Sequence, residues 1–152
     1  MFDPATFLNT NYEEKGSTTY TPVPESEYVA VSIGEVKARQ GEKDGNTYTM
    51  ADINWEIDSS RYPEVANITG REKNVVRQTV FLDLTPAGHL DMGKGKNVQL
   101  NRVREAVGQN EDGRPWNFNM LIGQAGKVLV KHKPDSRDGS PQAFVAGVTK
   151  IS

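Results

Sequence analysis

Alternation marks the start of the patterned part of the chain. In "EYVAVSIGEVKAR", Glu27 to Arg39, the residues Val29, Val31 and Ile33 share one parity, and Tyr28, Ala30 and Ser32 take the other. A two-residue period is that of a strand with one face on a core. The valine and isoleucine set is expected inside and the Tyr28 set outside. The polar stretch "QGEKDGN" follows, and its Asp44-Gly45 pair supplies the left-handed positions of a tight hairpin. A second strand, "TYTMADINWEI", places Thr49, Ala51, Ile53, Trp55 and Ile57 on the buried parity, with Tyr48, Met50, Asp52 and Asn54 facing out. Residues 58–74 read as a long polar loop.

A third strand is predicted from Asn74 to Leu84. It buries Val76, Val80, Leu82 and Leu84, and its other face holds Val75, Arg77, Thr79, Phe81 and Asp83. Pro86 and Gly88 end it. A helix is predicted over Val98–Val107, with Asn97 as N-cap, a Leu100/Val103/Val107 stripe and Gly108 just past the end. A loop bearing Trp116 leads to two closing strands in "KVLVKHKPDSRDGSPQAFVAGVTKI". Residues 1–25 show no sustained period. They read as an irregular N-terminal arm, with Phe2, Phe7 and Leu8 expected to dock on a single domain of residues 26–152.

The element order is β-β-β-α-β-β. It fits a mainly β, OB-like fold: a five-stranded Greek-key barrel with one helix between strands three and four. Such barrels bind on the outer face of strands two and three and along the first and last hairpin loops. A simple antiparallel sheet with one packed helix fits the same order.

Composition narrows the function. Charged residues make up 25% and hydrophobic residues 36% of the 152, the balance of a globular domain. No apolar run approaches the roughly 18 residues of a membrane span, and no basic segment followed by an apolar one opens the chain. With no cysteine, disulfides and thiolate chemistry are excluded and a cytoplasmic setting is expected. Charge is uneven. Residues 1–93 hold 8 Lys/Arg against 15 Asp/Glu, whereas residues 94–152 hold 10 against 5. A basic region in a net acidic chain suggests a side that faces a polyanion.

Catalytic signals are weak. "GHLDMGKG", Gly88 to Gly95, matches a phosphate-binding loop until Gly95, where Ser or Thr should hold magnesium. The only histidines, His89 and His132, stand far apart in sequence, and no metal-ligand spacing is present. No nucleophile elbow occurs. No cofactor and no enzymatic activity are expected.

Aromatic and basic residues carry more. Tyr28, Tyr48 and Phe81 are expected outside, with Arg77 on the same face as Phe81, four residues before it. Exposed rings stack on bases and neighbouring cations track phosphates, which is what a single-strand binder needs. Lys127, Lys131 and Lys133 share one parity of the fourth strand. Lys131, Lys133 and Arg137 on the last hairpin, and Arg39 and Lys43 on the first, would flank the rings. A solvated edge strand guarded by lysine explains the same pattern without a ligand. Trp55 is expected in the core, and Trp116 and Phe118 as the plug of a barrel end.

The stretches "FDPATFL", "YTPVPESEYVAVSI", "VFLDLTPAGHLDMGKGKNVQLNRVREAVGQN" and "VLVKHKPDSRDGSPQAFVAGV" together cover most of the chain. With them it resembles small phage-encoded single-stranded DNA-binding proteins of the OB type. The resemblance implies sequence-tolerant binding and protection of single strands in phage replication or recombination, without catalysis, in the bacterial host cytoplasm. Phage or host replication and recombination proteins, and a second copy of the chain, are the partners it would suggest. One departure is the ending "VTKIS", which lacks the acidic tail that many replication-type binders use for recruitment. The alternative is a protein-interaction module that engages a host factor or recombinase without binding nucleic acid.

Overall fold

The computed structural model describes residues 1–18 and 20–151. Five antiparallel strands dominate it: β1 (Ser26–Lys43), β2 (Asn46–Ile57), β3 (Val75–Leu82), β4 (Ala125–Pro134) and β5 (Pro141–Thr149). They form one open sheet in the order β3-β2-β1-β4-β5. The sheet curls until its two edge strands, β3 and β5, touch without sharing a ladder, and a helix packs on both along this seam. That helix is α3 (Val98–Ala106), the third of three α-helices among the described residues. The others are α1 (Pro4–Asn9) and α2 (Pro63–Thr69).

The β1–β2 hairpin turns through Asp44 and Gly45, with φ of 53° and 79°, between the paired Lys43 and Asn46. Two successive positive φ values match the right-handed twist of the flanking strands. On β2 Ala51, Ile53, Trp55 and Ile57 are buried as expected, but Thr49 is only half-buried. Met50 and Asp52, expected to face out, are buried as well, Asp52 under its bonds with Arg39 and Thr79. Trp55 is completely enclosed, and its indole Nε1 donates to Gln78 Oε1 of β3 at 2.9 Å. This bond satisfies both buried polar groups, either of which would be costly alone. Val76, Val80, Val128, Val130, Val145, Leu100, Val103 and Leu121 complete the centre of the core.

β1 is inverted relative to the sequence reading. Tyr28, Ala30 and Ser32 face inward, whereas Val29 and Ile33 are half-buried and Val31 is exposed. The inward set is fixed by polar contacts that a hydrophobic count does not weigh. Ser32 Oγ donates to the Leu121 carbonyl, and Tyr28 Oη donates to the Pro24 carbonyl at 2.8 Å. A register irregularity between Ile33 and Lys37 adds residues to β1 relative to β2 and bends the strand.

The expected polar loop over residues 58–74 contains α2. Pro63 opens it and Gly70, at φ 76°, closes it, the Pro-first, Gly-last arrangement that favours a short helix. Val65 and Thr69 are buried. Tyr62, at its start, meets Tyr28 edge-on, with ring centroids 5.0 Å apart, and its hydroxyl accepts from Val29 N at 3.0 Å.

α3 begins and ends near its predicted bounds, with Gly108 at φ 73° after it. Asn97 precedes it but does not cap it through its side chain. Instead Asn97 is buried and locked to Asp83: its Oδ1 accepts from Asp83 N, its Nδ2 donates to the Asp83 and Asp91 carbonyls, and its own N donates to Asp83 Oδ2. β3 stops at Leu82; Leu84 is exposed and forms only an isolated bridge with Leu90. Trp116 and Phe118 are half-buried and meet edge-on at 5.0 Å. The Arg104 guanidinium lies over Trp116 at 4.5 Å.

The arm is not docked as expected. Phe2 and Phe7 touch each other at 5.3 Å, and both remain exposed with Leu8 and Tyr12. Val23 is the first buried residue among those described. Among the described residues no helix is long and apolar enough to cross a membrane.

Candidate nucleic-acid interface

The register of β2 and β3 sets Met50 opposite Phe81, Asp52 opposite Thr79 and Asn54 opposite Arg77. Paired residues project to the same side of a sheet, so these six share the outer face. β1 adds Lys37 opposite Asp52 and Arg39 opposite Met50. Phe81 is 52% exposed and Tyr48 41%. Their rings meet edge-to-face with centroids 6.3 Å apart. The Phe81 backbone N–H, on the free edge of β3, is satisfied by Gln99 Oε1 of α3 at 2.9 Å.

An open groove of about 1200 Å³ runs over this face. Met50, Arg39, Arg77, Thr79 and Phe81 lie along it. One wall is the arm at Tyr20, Pro22 and Val23, with Arg71 behind it; the other is the β4–β5 hairpin. Arg71 Nη2 donates to the Thr21 carbonyl at 3.0 Å, and its guanidinium lies 5.6 Å from the Tyr20 ring centroid. On the far wall, Lys133 Nζ sits 5.0 Å over the Phe144 ring. His132 joins the two walls, its Nε2 lying 2.7 Å from the Val23 carbonyl oxygen.

Five of the nine residues singled out from the sequence line the groove: Arg39, Arg77, Phe81, Lys133 and Arg137. Tyr48 adjoins it through Phe81. Lys43 stands at the β1–β2 hairpin end, and Lys131 is exposed on β4 opposite Phe144; neither lines the groove. Tyr28 does not belong to this surface. It is 5% exposed in the core, and burial, followed by the nearby Glu64 and Tyr62, raises its phenol pKa. Lys127, on the same parity as Lys131 and Lys133, is paired with Glu27 at 3.2 Å. Lys37, Arg71, Tyr20 and Phe144 escaped the sequence reading. Only Lys37 had a visible signal, its shared parity with Arg39; Arg71 and Tyr20 are brought in by the path of the arm.

The groove is not uniformly basic. Asp135 holds Arg137 through contacts of 3.2 Å. Those bonds, with the Arg137 backbone N–H, keep the Asp135 carboxyl below its usual range. Asp52 does not itself line the groove. It lies on the same outer face, between Met50 and Asn54 and beneath Arg39 and Thr79, which do, with its side chain only 11% exposed. Its Oδ2 accepts from Arg39 Nε at 2.7 Å and its Oδ1 from Thr79 Oγ1 at 2.6 Å. Burial by itself raises the Asp52 pKa. The bonds from Arg39 and Thr79, with the charges of Arg39 and Arg77, outweigh burial and leave it lowered.

In the phosphate-loop-like segment Gly88–Gly95, several amides are taken up by the loop itself. Gly88 N donates to the Thr85 carbonyl, Asp91 N to the Asp83 carbonyl and Gly93 N to Asp91 Oδ1. α3 begins three residues after Gly95, so its N-terminus does not meet the loop as a phosphate cradle requires. Among the described residues no group of three or more His, Asp or Glu side chains is placed to hold a metal ion.

No protein-family profile matches the chain, and no curated protein matches it significantly in sequence.

Proposed function

We propose that the chain is a non-enzymatic protein that binds and protects single-stranded DNA with little sequence preference, in phage replication or recombination. The observation that carries this reading is the groove that Arg39, Arg77, Lys133 and Arg137 line together with the exposed Phe81 ring. Rings that accept any base, beside cations that accept any phosphate, give sequence-tolerant affinity for a single strand. A duplex hides its base faces and has nothing to offer Phe81 and Tyr48. The strand order, the contact of β3 with β5 and the helix on their seam support assignment to the OB class, whose ligands lie on this same face.

A second reading rests on one observation. Phe2, Phe7 and Leu8 on and beside α1 are exposed, which favours a protein contact through the arm in addition to the groove. The groove reading is tested by nuclease protection. Saturating protein should shield a labelled single strand from a single-strand nuclease, and Phe81→Ala should reduce the protection at equal concentration. Equal digestion with and without protein contradicts the reading.

A further inference from the structure

A carboxylate bonded directly to an arginine that lines a groove meant for a polyanion is an electrostatic liability, and Asp52, beneath Arg39 and Thr79, is such a group. We propose that Asp52 is a positioning residue for single-strand binding, holding the Arg39 guanidinium in the orientation in which it meets a phosphate. This inference rests on the single-strand reading above.

The geometry is specific. Asp52 Oδ2 takes Arg39 Nε at 2.7 Å, and Oδ1 lies 3.4 Å from Arg39 Nη2. The carboxylate thus engages one edge of the guanidinium, and the remaining donors have no partner among the described residues. Arg39 keeps half of its side chain exposed while Asp52 is largely covered, so the free donors open onto the groove. Asp52 is itself held: Thr79 Oγ1 donates to Oδ1 at 2.6 Å from the neighbouring strand. The chain of contacts runs from β3 through β2 to β1, all on rigid sheet. Arginine carries large rotamer entropy and binds phosphate through a planar fork. Fixing that fork in advance lowers the ordering cost of each contact. Arg77, opposite Asn54 on the same face, adds to the positive field that keeps Asp52 ionised.

Two accounts of Asp52 give opposite signs. If it were only a countercharge, Asp52→Asn would tighten oligonucleotide binding and steepen its salt dependence. As a positioning residue, its loss weakens binding by about fivefold or more. It also makes the slope of log K against log salt shallower by about 0.7, the share of one phosphate contact on a single strand. In an Arg39→Gln background, Asp52→Asn should no longer weaken binding, because only its negative charge remains to be removed. Arg39→Lys keeps the charge and loses the fork, and should weaken binding as Asp52→Asn does. It supplies the test should Asp52→Asn fail to fold.

The experiment is anisotropy of a labelled oligo-dT of about 30 nucleotides across a salt series with the intact chain and these variants. Tighter binding by Asp52→Asn, equal weakening in both Arg39 backgrounds, or wild-type affinity in Arg39→Lys overturns the positioning role. Failure of the wild-type chain to bind at low salt overturns the single-strand reading itself.

Discussion

Phe81 and Tyr48 stand edge-to-face with their centroids 6.3 Å apart, on the outer side of adjacent strands and open to solvent. Large rings left exposed beside Arg77 and Arg39 are not needed by the core, which Trp55, Ile53 and Val80 fill. Replacing either ring with alanine should therefore leave the fold intact. Base stacking on one ring contributes about 1–3 kcal/mol. Phe81→Ala is expected to weaken oligonucleotide binding within that range while the melting temperature stays near wild type. Unchanged affinity in the Tyr48→Ala/Phe81→Ala double variant contradicts the site.

Tyr28 should behave in the opposite way. Its ring is buried against Tyr62, and its hydroxyl holds the Pro24 carbonyl. Tyr28→Ala is expected to cost about 3 kcal/mol or more of stability and to show up in denaturant melts. The conservative Tyr28→Phe should bind oligonucleotide as wild type does. A Tyr28→Phe variant of normal stability but reduced affinity would return this residue to the interface.

The difference between these tyrosines shows what the sequence could reveal. β2 and β3 were legible because Ile53, Trp55, Val76 and Val80 alternate with Asp52, Asn54 and Arg77, a pattern strong enough to fix the faces even though Gln78 lies inside and Met50 and Phe81 lie on the outer face. β1 was not, because "YVAVSI" is apolar on both parities. The deciding residues were Ser32 and Tyr28, whose partners, the Leu121 and Pro24 carbonyls, are tertiary facts. α2 left a signal in Pro63 and Gly70, but its short apolar stripe was masked by polar neighbours. The basic hairpins were readable as charge. Their pairing was not: Arg39 with Asp52 and Lys127 with Glu27 depend on strand register and packing.

The Asp83–Asn97 lock predicts a stability effect without a binding effect of similar size. Asn97 is buried at a positive φ of 53° and satisfies backbone groups of Asp83 and Asp91. Asn97→Ala loses these bonds and keeps the strained backbone, for a cost of about 2–3 kcal/mol. Asn97→Gly relieves the backbone but not the lost bonds, so it should fall between Asn97→Ala and wild type in urea midpoint. Equal midpoints for wild type and Asn97→Ala contradict the lock.

Acid should destabilise the chain in part through Asp52. Its pKa is lowered in the fold, since the bonds and charges of Arg39, Thr79 and Arg77 outweigh burial. A carboxyl with a folded value below its unfolded one, about 3.9, stabilises the fold fully at pH values above the unfolded value. That stabilisation is lost as pH falls through the lower folded value. Asp52→Asn has no such proton to take up. Its melting temperature should therefore fall less than that of wild type between pH 5 and pH 3. An equal fall in both contradicts the assignment of Asp52 as an ionised, bonded group.

The most direct test of the central claim compares a labelled oligo-dT of about 30 nucleotides with a duplex of equal length, by fluorescence anisotropy at low and moderate salt. Counterion release predicts that the logarithm of the single-strand binding constant falls linearly with log salt, and the exposed rings predict much weaker binding to the duplex. Tight, salt-dependent binding to the single strand alone is the expected result. Absence of binding at low salt, or equal affinity for both forms, would contradict the account.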